Sequence, residues 1–569
     1  TWRIRAGEVT QDAEDQMMYY RDAQLEVMGV PVLYAPVFAH PDPSSERRSG
    51  FLVPKVGASN RLGAVYQQPY YWSISPHQDL VIAPRYMGNV NPLLYAEYRK
   101  RFWSGSMAFE GSFTHEGELD ADGIPDANAE DQWHIFGGGQ FQINNTMRWG
   151  FGVQRSSYDL YLQRYDFSER DIDRDNLLTA PAAMLASQVF VEHRGANSYG
   201  SAVAADYQSI TPGRNDETLP VIQPLVQYRQ VFALPDEWGR VNLDFGAASI
   251  ERSEGRDYRR ASAGLEWRNR WISSTGIVVE PFALARADSF EVSDLDPAVY
   301  GYTEDSFSRG VGLAGVEISY PFYRPGRVVD WVVEPVLSTT YASDDPVRSQ
   351  IINEDSDALD LDEYLLFDPT RAAGVDVWEE GHWAAAGVRA TAQWGRRNNV
   401  RAFFGQGHRF SGETAFDEAS GVFEDSTDYI TSAQVNWNAF SVEMSARLDQ
   451  NDFDVNRLDF ATRYGNERIN VDLRYTDISD EASLRAVRRE IQGRFDIAVT
   501  ENWSLVGRAI HDLRLDLTRR REVGLRYQDE CTQFDIIYET QESTNELIGD
   551  SQSIRIEVVL LTLGGVTDG

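Results

Sequence analysis

The stretch AFSVEMSARLD (439–449) alternates without a break. Phe440, Val442, Met444, Ala446 and Leu448 share one face, and Ser441, Glu443, Ser445 and Arg447 share the other. Successive side chains of a strand point to opposite faces, so a period of two predicts a strand with one apolar and one polar face. RLDFATRY (457–464) repeats the pattern and, after the turn Gly465-Asn466-Glu467, so does INVDLRY (469–475). GVRATAQW (387–394), REVGLRYQ (521–528) and SIRIEVVL (553–560) follow the same rule. Two all-β architectures use such strands. A soluble sandwich buries the apolar face between two sheets, whereas a membrane barrel turns it to lipid and keeps the polar face around a wet lumen. The strands here run to about 9 to 11 residues, enough to cross a bilayer at a tilt. Tight turns such as WNAF (437–440) and RYGNER (463–468) alternate with long acidic loops. Trp72, Trp103, Trp149, Trp383, Trp394, Trp437 and Trp503 stand at strand ends, as girdle aromatics do. These features select an antiparallel transmembrane β-barrel over an array of soluble sandwiches.

The composition agrees. The chain has 569 residues, a formal charge of −35 and 12% aromatic residues. Such a charge excludes nucleic acid as a partner, because phosphate binding needs clustered Lys and Arg. No apolar run is long enough for a transmembrane helix; VVLLTL (558–563) is strand-sized. Acid gathers in EGELDADGIPDANAEDQ (116–132), NEDSDALDLDEY (353–364) and FDEASGVFEDSTD (416–428), which read as long exposed loops. Such loops suit divalent cations that bridge lipid phosphates, although a solvated repulsive rim is the simpler reading. Cys531 is the one cysteine, so the chain holds no internal disulfide. It reads either as a small buried hydrophobe or as half of a bond to a cysteine outside this sequence.

Residues 46–569 are expected to form the barrel. At about 20 residues per strand and its share of loops, that length gives about 26 strands. A barrel so wide cannot fill its lumen with its own side chains, so a separate subunit is expected inside. Residues 1–45 differ: TWRIRAGEV, QMMYYRDAQLEVMG and VPVLYAPVF read as short strands ending at the polar linker HPDPSSERRS. With Thr1 rather than Met at the start, they read as the last strands of a β-domain that begins upstream.

Several enzyme-like patterns fail on context. Gly310, Gly312 and Gly315 satisfy a dinucleotide-type spacing, but VEISYPFY continues as a strand and opens no helix. Asp171, Asp173 and Asp175 imitate the start of a calcium loop without its later Gly and Glu. The eight histidines form no metal-ligand spacing. We therefore expect no catalysis, cofactor or metal.

The decisive segment is VMGVPVLYAPVFAHPDPSSERRSGFLVPKVGASNRLGAVYQQPYYWSISPHQDLVIAPRYM (27–87). Its G-x-P-x-x-Y-x-P run, its S-G-F-L-x-P strand, its P-Y-Y-W and its D-x-x-x-x-P-x-Y strand resemble the junction of the LptD (OstA) lipopolysaccharide-assembly proteins. YLLFDPTRAAGVDVWEEGHWAAAG (364–387) and LRYQDEC (525–531) are similar to later segments of that family, with two departures. Ala372 and Ala373 follow Arg371 where larger or polar residues are usual, and one Cys stands where some members have two. The resemblance implies a 26-stranded barrel in the outer membrane of a Gram-negative bacterium. It also implies a periplasmic jelly-roll fed by an LptA-like bridge, an LptE-like lipoprotein plug in the lumen, and lipopolysaccharide as the cargo.

On residues alone, Pro54 and Pro69 read as ordinary strand-end prolines. With the resemblance they mark a lateral gate, because proline removes a ladder donor. The expected gate sets Gly50, Phe51, Leu52, Val53 and Pro54 of the first strand against Ile554, Ile556 and Val558 of the last, with Pro69 weakening the second strand. The resemblance also turns Cys531 into a candidate for a disulfide to the jelly-roll. The alternatives are a plugged ligand-importing receptor of the TonB-dependent kind, for which residues 1–45 are too short to supply the plug, and a porin.

Overall fold

The computed structural model describes residues 2–12, 17–27, 30–41, 48–118, 128–167, 176–181, 183–235, 238–300, 303–356, 361–372, 374–414, 416, 418–479, 487–530, 532–543 and 547–560. Two separate sheets are formed. In the first, Met17–Val27 is the central strand; Trp2–Arg5 and Glu8–Asp12 pair along one side of it and Val30–Pro41 along the other.

From Gly50 onward, antiparallel strands pair in chain order until the last closes on the first. Four staves are interrupted and then resume. Gly50–Phe51 continues as Lys55–Ser59, Gly63–Gln67 as Tyr70–Ser75, Asp257–Arg268 as Trp271–Ile272, and Asp305–Ser319 as Phe322–Arg324. Taken so, the closed barrel has 26 staves, as the length of the chain predicts. The uninterrupted staves run from 9 residues (Tyr429–Trp437) to 16 (Val278–Ser293), so the shortest just cross a bilayer and the longest reach beyond it. Gly310, Gly312 and Gly315 lie inside the strand Asp305–Ser319, as expected.

The barrel has two unlike rims. At the proximal rim, where the chain comes from the first sheet and where the last strand ends, short turns such as 76–77, 145–146 and 438–439 connect the staves. Trp72, Trp149, Trp331 and Trp437 are exposed on the outer face near this rim, where an aromatic girdle belongs. At the distal rim several connections are long, as at 157–183, 343–380 and 412–428. Among the described residues, no helix is long and apolar enough to cross a membrane.

The loop 343–380 corrects one expectation, since four of its acidic residues turn inward. Asp345 pairs with Arg309 at 2.5 Å, Glu354 with Arg252 at 2.7 Å and Asp355 with Arg260 at 2.6 Å; Asp376 also pairs with Arg260. A carboxylate leaves water only where a cation and hydrogen bonds compensate it; the staves Asp257–Arg268 and Asp305–Ser319 supply Arg260 and Arg309, and Arg252 follows the stave Arg240–Glu251. Its short helix, Glu363–Phe367, buries Leu366 and Phe367 against Phe403, Val422 and Ile430. Trp383 is buried rather than part of the girdle, and the Arg371 guanidinium lies over its ring at 5.3 Å.

Candidate lateral seam

Closure of the barrel rests on a short ladder. The last stave, Ser551–Leu560, pairs with the preceding one over its full length, from Gln541↔Ser551 to Thr532↔Leu560. Against the first stave its register covers Ser553↔Ser59, Ile554↔Ala58, Arg555↔Gly57 and Ile556↔Val56, and there it stops. The backbone approach is close at Gly57, where a Cβ would stand 2.8 Å from the Ile554 carbonyl oxygen. Above this ladder Asn60 acts as a clasp. Its Nδ2 donates to the Asp550 carbonyl at 2.9 Å, its Oδ1 accepts from the Gln552 amide at 2.9 Å, and its own amide donates to the Gln552 carbonyl at 3.1 Å.

Below Val56 the first stave breaks at Leu52, Val53 and Pro54 and resumes as Gly50–Phe51. The break shifts the register with the second stave by one residue, from Lys55↔Gln67 to Phe51↔Tyr70. Such a slip exchanges the two faces of a strand. Val56 and Phe51 are accordingly both exposed on the outer surface, and the Phe51 ring meets Tyr70 edge-on at 5.1 Å.

The second stave keeps its register with the third across its own break, from Gln67↔Arg85 to Tyr70↔Ile82. Pro69 has no N–H to donate to the Leu52 carbonyl, and the Gln68 side-chain amide donates there instead at 2.9 Å. The Leu52 amide donates to the Pro69 carbonyl at 2.9 Å, and the Tyr66 hydroxyl donates to Gln68 Oε1 at 2.8 Å. A third proline extends the pattern, since Pro84 accepts from the Gln68 amide at 3.1 Å and returns no bond.

Inside the first staves lies the short helix Tyr161–Arg164 of the loop 157–183. Tyr161, Leu162 and Tyr165 bury themselves against Leu62, Met87, Leu93 and Phe136. Arg61, at the tip of the first hairpin, donates to the Gln163 carbonyl at 2.7 Å and pairs with Asp166 at 3.2 Å. Arg85 donates to the Tyr165 carbonyl at 2.8 Å. The first hairpin is therefore tied inward to a buried cluster, whereas the last stave is held by its neighbour, by four registered residue pairs and by the Asn60 clasp.

The sequence-based gate residues gather at one seam with an altered pairing. Gly50, Phe51, Leu52, Val53, Pro54 and Pro69 lie on the first two staves, and Ile554, Ile556 and Val558 lie on the last. Ile554 and Ile556 face Ala58 and Val56, however, and the 50–54 segment has no registered partner among the described residues of the last stave. Continued below Val56, the same register sets Val558 against Pro54, so the closing ladder runs several residues out of step with the expected pairing, an offset that a count of alternating positions does not reveal. Asn60, Gly57, Gln68 and Pro84 were missed. Pro84 had a signal, because it occupies the next strand of the same proline-marked segment. Cys531 and the segment 168–175, with Asp171, Asp173 and Asp175, lie outside the described residues.

The wide closed barrel, its apolar aromatic outer face and its inward-folded distal loops define an integral outer-membrane β-barrel protein. A family model described as LPS transport system D matches residues 130–503, and one described as LptD protein matches residues 19–145. The chain belongs to this LptD family. The LPS-assembly protein LptD of Acinetobacter baumannii is 21% identical over 597 residues, covering 100% of this chain and 69% of the relative. That of Pseudoalteromonas translucida is 26% identical over 606 residues, covering 99% of this chain and 74% of the relative. That of Histophilus somni is 37% identical over 111 residues, covering 19% of this chain and 14% of the relative. The siderophore receptor PiuA from Acinetobacter baumannii aligns at a TM-score of 0.31 and 7% identity over 95% of this chain and 85% of that chain, a likeness too low to bear on function.

Proposed function

We propose that the protein moves lipopolysaccharide into the outer leaflet of the outer membrane through a lateral gate at the seam between its first and last staves. The observation that carries this reading is the four-pair closing ladder beside two staves interrupted at Pro54 and Pro69. A backbone hydrogen bond contributes only about 1 kcal/mol net in water, so a short ladder is held by a few kcal/mol. In hydrocarbon each exposed polar group costs several. The seam therefore opens where a lipid headgroup or a side chain such as Gln68 covers the bared backbone. Acyl chains leave sideways between the staves while the saccharide stays in the wet lumen.

The same reading assigns the proximal rim and the residues before 46 to the periplasm, where an LptA-like bridge of jelly-roll domains delivers the lipid. An LptE-like lipoprotein takes the part of the lumen that the inward loops leave free. Family membership supports this arrangement, and no catalytic step is part of it.

Site-specific photocrosslinking in cells tests the reading, with the photoreactive residue at Phe51, Tyr70 or Ile556 and a control at Val442 on a distant stave. Lipopolysaccharide adducts at the seam and none at Val442 are expected. Equal adducts at all four positions, or none at the seam in folded barrels, overturn it.

A further inference from the structure

Behind the seam, on the luminal side, three arginines hold donors that meet no acceptor. The Nε atoms of Arg61, Arg85 and Arg555 are buried and have no hydrogen-bond partner among the described residues. Arg61 lies at the tip of the first hairpin, Arg85 on the third stave and Arg555 on the last stave opposite Gly57. All three interact electrostatically with a single carboxylate, that of Asp166. Arg61 meets that carboxylate through Nη1 at 3.2 Å, Arg85 spends its Nη1 on the Tyr165 carbonyl at 2.8 Å, and Arg555 reaches Glu539 through Nη2 at 3.3 Å. Each guanidinium is thus engaged at a terminal nitrogen while its Nε remains unused. Asp166 is half-exposed and has a left-handed backbone at φ 58°, so it reaches the arginines from a constrained turn.

A guanidinium presents its donors as a fork that fits the oxygens of a phosphate, which a single carboxylate oxygen does not saturate. The surroundings select for charge as well. In a chain of net charge −35, cations collect at this point, and Lys55 and Gln67 share a row with Arg85. Gly57 lets the first stave approach Arg555 closely, since a Cβ there would stand 3.7 Å from the Arg555 Cα. We infer that Arg61, Arg85 and Arg555 form a receiving site for the phosphate of a phosphorylated lipid headgroup just inside the seam, and that Asp166 occupies it until that phosphate arrives. The inference rests on the lateral-gate reading and assigns it a chemical selectivity. Because Arg555 belongs to the last stave and Arg61 to the first hairpin, an arriving phosphate displaces Asp166 from between the two sides of the closing ladder.

The test uses the purified full-length protein with a photoreactive residue at Gln67 and two probes, phosphorylated lipid A and the same lipid with its phosphates removed. Capture of the phosphorylated probe is expected to exceed that of the other by at least tenfold. Arg61→Gln and Arg85→Gln are expected to bring it down to the dephosphorylated level, Arg85→Lys to restore part of it, and Asp166→Asn to raise it severalfold. Inorganic phosphate at millimolar concentration is expected to compete poorly, which identifies a lipid headgroup rather than a free anion as the ligand. Equal capture of both lipids, unchanged capture in arginine variants that still migrate as folded barrels, or complete competition by inorganic phosphate overturns the inference. Seam crosslinks are read in parallel on chains that carry the photoreactive residue at Phe51 or Ile556 instead. Their loss in the unmodified chain sinks the gate reading, whereas their persistence beside indifferent arginine variants sinks only the phosphate site.

Discussion

The side-chain amide of Gln68 donates to the Leu52 carbonyl at 2.9 Å, the acceptor that Pro69 leaves without a backbone donor. A side chain swings away faster than a backbone ladder unzips, so this bond turns a permanent gap into a removable cover. Gln68→Ala leaves the Leu52 carbonyl bare at the membrane face and is expected to cost about 1 to 3 kcal/mol locally. Hydrogen exchange at the Leu52 amide is expected to speed up by at least fivefold while the barrel as a whole melts as before. Pro69→Ala restores the missing donor, and Gln68→Ala in that background is expected to have little further effect. Additive effects of the two changes contradict the substitution of one donor for the other.

Gly57 is required by close approach. A Cβ there meets the Ile554 carbonyl oxygen at 2.8 Å, and this contact is backbone, which yields only if the staves separate. Gly57→Ala is expected to loosen the closing ladder at a cost of about 1 to 3 kcal/mol. The barrel then loses its compact gel migration at a lower temperature. Gly310→Ala is the control, because a Cβ at Gly310 meets nothing within 4 Å. An equal response of the two variants contradicts the assignment.

The inward loop 343–380 carries a pH signature at Glu379. This carboxyl is buried, and burial pushes it above its ordinary value against the opposing pull of Arg409 and Arg371. A carboxyl raised in the folded state holds its proton more tightly there. Its contribution is therefore favourable below the unfolded value of about 4.3 and is lost as pH rises toward the folded one. Limited proteolysis of the loop in intact barrels is expected to accelerate severalfold from pH 4 to pH 8. Glu379→Gln, which keeps a partner for Thr414 at 2.9 Å, is expected to flatten that component. An unchanged slope in the variant contradicts it.

Much of this was legible in the sequence because a barrel stave obeys one local rule. Phe440 to Leu448 alternate because each residue answers only to lipid or lumen, and the stave count follows from length. What the sequence hides are interactions that ignore the period of two. The closing register sets Ile554 against Ala58 rather than the 51–53 segment, and the break at Leu52 to Pro54 slips the first stave by one residue against the second. Asp345, Glu354 and Asp355 look like solvated loop acids until the fold sets Arg309, Arg252 and Arg260 beneath them. Asn60 looks like one more turn residue, and its role as a clasp depends on Asp550 and Gln552, which only ring closure brings near.

The central claim, that lipid leaves through the seam, is tested most directly by locking it. Ala58 and Ile554 are registered partners across the closing ladder, and Val435 and Val442 are registered partners on two other neighbouring staves. Cysteine pairs at each position are oxidised in cells, and the arrival of newly made lipopolysaccharide at the surface is followed before and after reduction. With Ala58→Cys and Ile554→Cys the account predicts arrest on oxidation and recovery on reduction, and with Val435→Cys and Val442→Cys no change. Undiminished delivery through a fully oxidised Ala58 and Ile554 lock contradicts it.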